Sequence, residues 1–119
     1  MLRPDAEAAV GQPLPQTTEN AALRMCDYNA QDFSAGASLT AGSWESIKAA
    51  ATGGHGVPTP VGGVGDEALA LVSRGGSALY VRVKAEGFLL TLNGPKISKL
   101  EDGGLALEKT LASKIAARL

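Results

Sequence analysis

The C-terminal part of the chain constrains the fold most, because its apolar residues first alternate with polar ones and then recur at helical spacing. The alternation is clean in residues 78–84 and is repeated in residues 88–92; an apolar segment, residues 68–72, precedes them, and short connections that contain glycine join the three segments. Alternation is typical of strands with one buried face, and connections this short favour hairpins. These segments therefore predict a three-stranded antiparallel meander.

A helix is predicted to follow the meander and to cover it. It runs over residues 105–119, where four apolar residues lie four positions apart and share one helix face: Leu107, Leu111, Ile115 and Leu119. A sheet with an apolar face needs such a covering layer.

The first forty residues carry weaker patterns. Residues 4–10 are typical of a short helix that begins with proline. Pro13 and Pro15 then predict an extended linker, since proline fixes the backbone and cannot donate a hydrogen bond. Residues 23–28 and 35–40 are predicted to be strands.

A second helix is predicted over residues 44–52. Ser43 is a suitable N-cap, because its hydroxyl can accept a hydrogen bond from the free amides of the first turn. The stretch from Gly53 to Gly65 is rich in glycine and holds prolines, so it is predicted to be a loop.

Together these elements predict one α+β domain over residues 1–119, with a mainly antiparallel sheet of about five strands and helices packed on it. The predicted order is α-β-β-α-β-β-β-α. Hydrophobic residues make up 45% of the chain and aromatic residues only 4%. The core is therefore expected to consist mainly of aliphatic side chains, which is ordinary for helices on a sheet.

Charge and composition argue against several classes of function. The net charge is -1 and no run of basic residues occurs, whereas nucleic-acid binders normally carry a basic face. No apolar stretch is long enough for a transmembrane helix. The single cysteine, Cys26, cannot form an internal disulfide and is expected to pack as a small hydrophobic residue. No cofactor is predicted.

Gly63-Val64-Gly65-Asp66-Glu67-Ala68 matches the loose dinucleotide-binding pattern G-x-G-x-x-G/A. That pattern binds phosphate only where a buried strand precedes it and a helix follows. Here a proline-containing segment precedes it and a strand pattern follows. A role as a turn that leads into a strand is therefore favoured over cofactor binding.

His55 is the only histidine, and Asp66 and Glu67 lie at the far end of the same loop. One histidine and two carboxylates can form a facial metal site. An exposed loop histidine is the favoured interpretation, since a loop without regular structure holds ligands poorly. His55 and Asp66 remain candidates for binding a partner.

Tyr80 and Arg82 are candidates for a partner surface on the sheet. In the alternating segment they lie on the face opposite Leu79 and Val81, so they are predicted to point outward. A large aromatic side chain on an open sheet face can line a groove or an interface. The alternative is that a helix covers this face and buries Tyr80.

Four segments resemble a group of small exported bacterial domains of unknown function. They are the end of the first helix with the proline that follows it, Cys26-Asp27-Tyr28, the Gly63–Ala68 motif with the residues before it, and Leu79-Tyr80-Val81-Arg82-Val83-Lys84 followed by an Ala/Leu helix. Members are typically lipoproteins or secreted proteins, and their element order is similar to the PsbP-like α/β/α sandwich. The resemblance implies a binding or assembly role, a signal sequence or lipid anchor upstream of this chain, and a periplasmic or extracellular location.

Three functional hypotheses follow. The leading one is a non-enzymatic binding or assembly module of the bacterial cell envelope with an unknown protein partner or small ligand. The second is a small-molecule carrier or weak enzyme with a pocket under the loop from Gly53 to Gly65. The third is a cytosolic domain that associates with itself through an open sheet face or an edge strand.

The sequence near Met1 lacks the apolar segment of a signal peptide, which is compatible with a cytosolic location or with a start placed after a removed signal.

Overall fold

The computed structural model describes residues 3–20, 25–53, 57–73 and 76–117. Within them the helices are α1 (Arg3–Val10), α2 (Trp44–Thr52), α3 (Pro95–Ser98) and α4 (Leu105–Ala116). The strands are β1 (Gln16–Asn20), β2 (Met25–Asn29), β3 (Gly36–Ser43), β4 (Thr59–Pro60), β5 (Glu67–Ser73), β6 (Gly76–Val83) and β7 (Glu86–Asn93).

All of these strands belong to one antiparallel sheet with the order β1-β2-β3-β7-β6-β5-β4. The predicted α+β class is confirmed, and the predicted meander is β5-β6-β7. The predicted number and order of elements are wrong in detail, because the described residues contain seven strands, with β1 and β4 in addition, and the extra helix α3.

Neither additional strand has an apolar alternation that could reveal it. β1 has the sequence Gln-Thr-Thr-Glu-Asn and follows directly after the segment that contains Pro13 and Pro15. It becomes a strand by pairing with β2, with Thr17 opposite Tyr28. β4 consists of two residues inside the predicted loop and pairs with β5. Strand formation depends more on the available partner than on local propensity.

Helices cover both faces of the sheet, and the alternation along β6 divides its side chains between them. Leu79 and Val81 belong to the larger core beneath α1, α3 and α4. Tyr80 belongs to the smaller core beneath α2, with Ile47 and Ala51 of that helix. Residues 79–81 of β6 are thus buried on both faces of the sheet.

The ends of α2 are those predicted from the sequence. The Ser43 hydroxyl accepts a hydrogen bond from the Ser46 amide at 3.3 Å, and the helix ends at Gly53, whose amide donates to the Ala49 carbonyl at 2.9 Å. These bonds satisfy backbone groups that a helix end leaves without partners.

The buried face of α4 differs from the predicted stripe. Its buried residues are Glu108, Leu111, Ala112 and Ile115, whereas Leu107 is half-buried. Position 108 shares a face with positions 111 and 115, so the stripe begins with a carboxylic acid and not with a leucine. Leu119 lies outside the described residues.

The Gly63–Ala68 motif forms a bend that leads into β5, as the turn-and-strand interpretation predicts. Gly63 and Gly65 both have positive φ, at 81° and 59°. Val64 between them is buried in the larger core, and the Asp66 amide donates to the Arg82 carbonyl at 2.8 Å. The glycines allow the chain to reverse closely enough for these contacts to form.

Candidate functional site

An apolar cleft lies between the last turn of α4 and the end of the sheet where β6 turns into β7. Its volume is about 290 Å³. Three neighbouring strands and the helix line it through Leu39, Ala41, Val83, Lys84, Glu86, Gly87, Phe88 and Ile115.

Strand alternation builds the floor of the cleft. Leu39 and Ala41 are two residues apart on β3 and so share a face, and Ala41 lies opposite Phe88 on β7. All three side chains face the larger core, and Ile115 of α4 lies across the cleft from this floor. Ala41 carries only a methyl group where a leucine-sized side chain would fill space, which keeps the cleft open.

Two charged residues, Lys84 and Glu86, lie at the rim of the cleft, and both are exposed. Lys84 belongs to the two-residue turn between β6 and β7 and has a φ of 59°, which is unusual for a residue other than glycine. The polar part of the cleft is therefore confined to its opening, while its wall is hydrocarbon.

Hydrogen bonds from three different segments hold this turn. The Lys84 amide donates to Asp66 Oδ2 at 2.7 Å, and Arg82 Nη1 donates to the Lys84 carbonyl at 3.1 Å. The amide of Trp44, the first residue of α2, donates to the Ala85 carbonyl at 3.0 Å. These hydrogen bonds hold Lys84 in its unusual backbone conformation, since such conformations persist where the surrounding contacts fix them.

Asp66 and Arg82, two of the residues proposed from the sequence for partner binding, thus converge on the rim. Arg82 Nε also lies 3.4 Å from Glu67 Oε1, directly across the β5–β6 pair. The structure gives both residues a role in fixing the turn at the cleft opening. A direct contact with a partner stays a prediction.

Tyr80 does not face an open groove. Its side chain is 6% exposed and packs beneath α2, so the prediction that it points outward from an open face is wrong and the alternative of a covering helix holds. Burial raises the pKa of its phenol. Alternation along a strand gives the two sets of side chains but not which face a helix covers.

His55 lies outside the described residues, so its relation to Asp66 and Glu67 stays a prediction. Within the described ranges, no group of three or more histidine, cysteine, aspartate or glutamate residues is arranged to hold a metal ion. The apolar cleft has no lining residue between positions 53 and 65, so its position differs from that of the pocket predicted under the loop.

A second polar feature, away from the cleft, is the contact between Glu108 and Ser77. Glu108 is fully buried, and its Oε1 contacts the Ser77 hydroxyl. The same hydroxyl lies 3.0 Å from the Gly103 carbonyl. One hydroxyl proton cannot serve two acceptors, but a protonated Glu108 can donate to Ser77 while Ser77 donates to Gly103.

The pKa of Glu108 agrees with a protonated carboxyl. Burial, followed by the negative charge of Asp102, raises it to about 8, although the contact with Ser77 lowers it. Glu108 Oε2 has no hydrogen-bond partner among the described residues. Because Glu108 is shielded from solvent and is not among the residues that line the cleft, we assign it to the core and not to chemistry on a ligand.

Sequence reasoning missed both features. Glu108 could have been found, because it lies three and seven positions before Leu111 and Ile115 on the predicted helix. No sequence pattern indicates the cleft, because its position depends on where α4 crosses the sheet.

No protein-family model, curated protein or solved structure matches the chain. Among the described residues, none of the helices is long and apolar enough to cross a membrane.

Proposed function

We propose that this protein is a non-enzymatic binding module that holds a small apolar molecule, or the apolar end of a larger one, in the cleft beside Ile115. The observation that carries this proposal is the cleft itself, with its hydrocarbon wall and its charges confined to the rim. Small-molecule sites are typically concave and mostly apolar, with few polar groups. A wall of this kind is suited to holding a ligand, since it brings no nucleophile and base together.

The size of the cleft limits the ligand. An apolar cavity of about 150 Å³ holds one benzene molecule, and the cleft is about 290 Å³. We therefore expect a ligand with on the order of ten non-hydrogen atoms inside the cleft, such as a medium-length alkyl chain or two fused rings. A larger ligand would extend past Lys84 and Glu86 into solvent.

A series of carboxylic acids tests this proposal. Butanoate, hexanoate and octanoate are titrated into protein labelled with nitrogen-15, and shifts of the Gly87 and Phe88 amide signals are followed by NMR. Each added methylene is expected to tighten binding about fourfold, because burying it contributes about 0.8 kcal/mol. Octanoate is expected to bind with a Kd on the order of 0.1 to 1 mM. Affinity that does not depend on chain length would contradict an apolar cleft.

Ala41→Leu should block the cleft. Its longer side chain is expected to occupy the space between β3 and Ile115 and to weaken octanoate binding at least tenfold. Ala50→Leu is the matched control, since Ala50 is exposed on α2 at the opposite face of the sheet. Equal affinity in the two variants, with both folded by circular dichroism, would show that octanoate binds elsewhere.

We further propose that the module works in the bacterial cell envelope, on the basis of the exported-domain resemblance. Cell fractionation, with the mass and N-terminal sequence of the native protein, tests this location. A processed or lipid-modified start in the envelope fraction is expected. An unprocessed start in the cytosol would contradict the envelope location and leave the cleft proposal standing.

A further inference from the structure

The two edges of the sheet differ in how they are protected. β4 is two residues long and ends in Pro60, which cannot donate a backbone hydrogen bond. β1 is five residues long and contains no proline, and the side chains of Gln16, Thr17, Thr18 and Glu19 are exposed. No described residue pairs with β1 on the side away from β2. Such an edge can accept another strand.

Opposite charges lie side by side along this edge. Arg3, at the start of α1, donates a hydrogen bond to the Thr17 hydroxyl, and its guanidinium carbon lies 5.5 Å from the centre of the Tyr28 ring. Glu19 is two residues from Thr17 and therefore on the same face of the strand. A positive and a negative group thus occupy neighbouring positions on one face of an open edge.

We propose that two copies of this chain pair through β1, antiparallel and centred on Thr18. This register places Gln16 opposite Asn20 of the second copy and Thr17 opposite Glu19 of the second copy. Residues directly opposite each other have Cβ atoms about 5 Å apart on the same face. Glu19 of the second copy therefore comes beside Thr17, where Arg3 is already bound.

The two-fold symmetry doubles this contact. Each copy contributes one Arg3 and one Glu19, so the interface contains two equivalent ion pairs and no like charges directly opposite each other. In this register each even-numbered residue of one copy lies opposite an even-numbered residue of the other, and each odd-numbered residue lies opposite an odd-numbered one. Backbone groups that point away from β2 in one copy therefore meet the same groups in the other. The two sheets join into one continuous sheet across an isologous interface.

The interface is small, so we expect weak association. Five paired residues and two exposed ion pairs fall below the size of a standard stable interface. Sedimentation velocity of the wild-type chain is expected to show a reversible monomer–dimer equilibrium with a Kd on the order of 100 µM, weakened by salt. A monomer that persists to millimolar concentration would overturn the proposal.

A charge exchange tests the predicted contact. Arg3→Glu and Glu19→Arg should each weaken self-association at least fivefold, because each variant places like charges at both contacts. An equimolar mixture of the two variants should dimerise about as well as the wild type, since both contacts are then attractive. Dimerisation that survives in each single variant, or that the mixture fails to restore, would contradict the Arg3–Glu19 contact.

A cross-link tests the register without depending on charge. In a Cys26→Ser background, Thr18→Cys places two cysteines opposite each other on the symmetry axis, within the range that a small backbone adjustment can bridge. Gln16→Cys is the matched control, because its two copies lie at opposite ends of the paired strands. Oxidation should link Thr18→Cys at least tenfold faster than Gln16→Cys. Equal rates would overturn the centred register.

Discussion

Glu108→Gln is expected to stabilise the protein at alkaline pH while changing its stability little at acidic pH. The folded protein raises the pKa of Glu108 to about 8, from an ordinary value of 4.5 in an exposed carboxyl. The folded state therefore holds this proton more tightly than the unfolded state does. The protonated carboxyl therefore contributes fully to the free energy of unfolding below about pH 4.5, and this contribution is lost as the pH rises towards about 8.

The expected size follows from the pKa difference. Each pH unit between these two pKa values lowers the unfolding free energy by about 1.4 kcal/mol, so a loss of about 5 kcal/mol accumulates by pH 9. Glutamine keeps the shape and cannot ionise. The unfolding free energy of Glu108→Gln should exceed that of the wild type by roughly 3 to 5 kcal/mol at pH 9 and lie within about 1 kcal/mol of it at pH 5.

Urea unfolding at pH 5, 7 and 9 measures this difference. Other titrating groups are the same in both proteins and cancel in the comparison. Glu101→Gln is the matched control, because Glu101 is an exposed carboxylate in the segment before α4 and should leave the pH profile unchanged. A parallel pH profile for Glu108→Gln and the wild type would show that Glu108 is already ionised in the folded protein.

Among the described glycines between residues 53 and 65, Gly65 is expected to be the one whose replacement by alanine destabilises the protein most. A Cβ atom at this position would lie 2.5 Å from the Arg82 carbonyl oxygen and 2.7 Å from Val81 Cγ1, and the backbone φ is 59°. The left-handed backbone alone costs roughly 1 to 2 kcal/mol for a residue with a side chain. The overlap adds to this cost, because the Arg82 carbonyl also accepts the Asp66 amide and cannot move away freely.

Gly63→Ala separates these two causes. Gly63 also has positive φ, at 81°, but nothing lies within 4 Å of an added Cβ. We expect a loss of about 3 kcal/mol for Gly65→Ala, with Tm lower by on the order of 10 °C, and about 1 kcal/mol for Gly63→Ala. Thermal unfolding followed by circular dichroism measures both. Equal losses would mean that backbone conformation alone explains the effect.

The sequence was sufficient for elements whose local pattern and tertiary environment agree. The meander was predictable because alternation in β6 and β7 coincides with burial, and α2 because Ser43 and Gly53 mark its ends. β1 was not predictable, since its polar residues have no burial pattern and its partner strand alone makes it extended. The alternation correctly placed Tyr80 on the face of β6 opposite Leu79 and Val81. It could not show that α2 covers this face, because that depends on the tertiary structure.

The candidate site was less predictable than the fold. Asp66 and Arg82 were selected as exposed polar residues, and both meet at one turn, yet no local pattern indicates that the turn lies at the mouth of a cleft. The cleft arises from the small side chain of Ala41 and the position of Ile115, which come from distant parts of the chain. The folded sheet and α4 bring them together around the cleft.

The pairing of β3 with β7 also sets the order in which the chain can fold. The β2–β3 and β5–β6–β7 units are each joined by short connections, but Ser43 meets Glu86 only after a long loop has closed. Such closure costs chain entropy before its contacts form, and it slows folding relative to local pairing. During synthesis β3 therefore remains without its neighbouring strand β7 until β7 has left the ribosome.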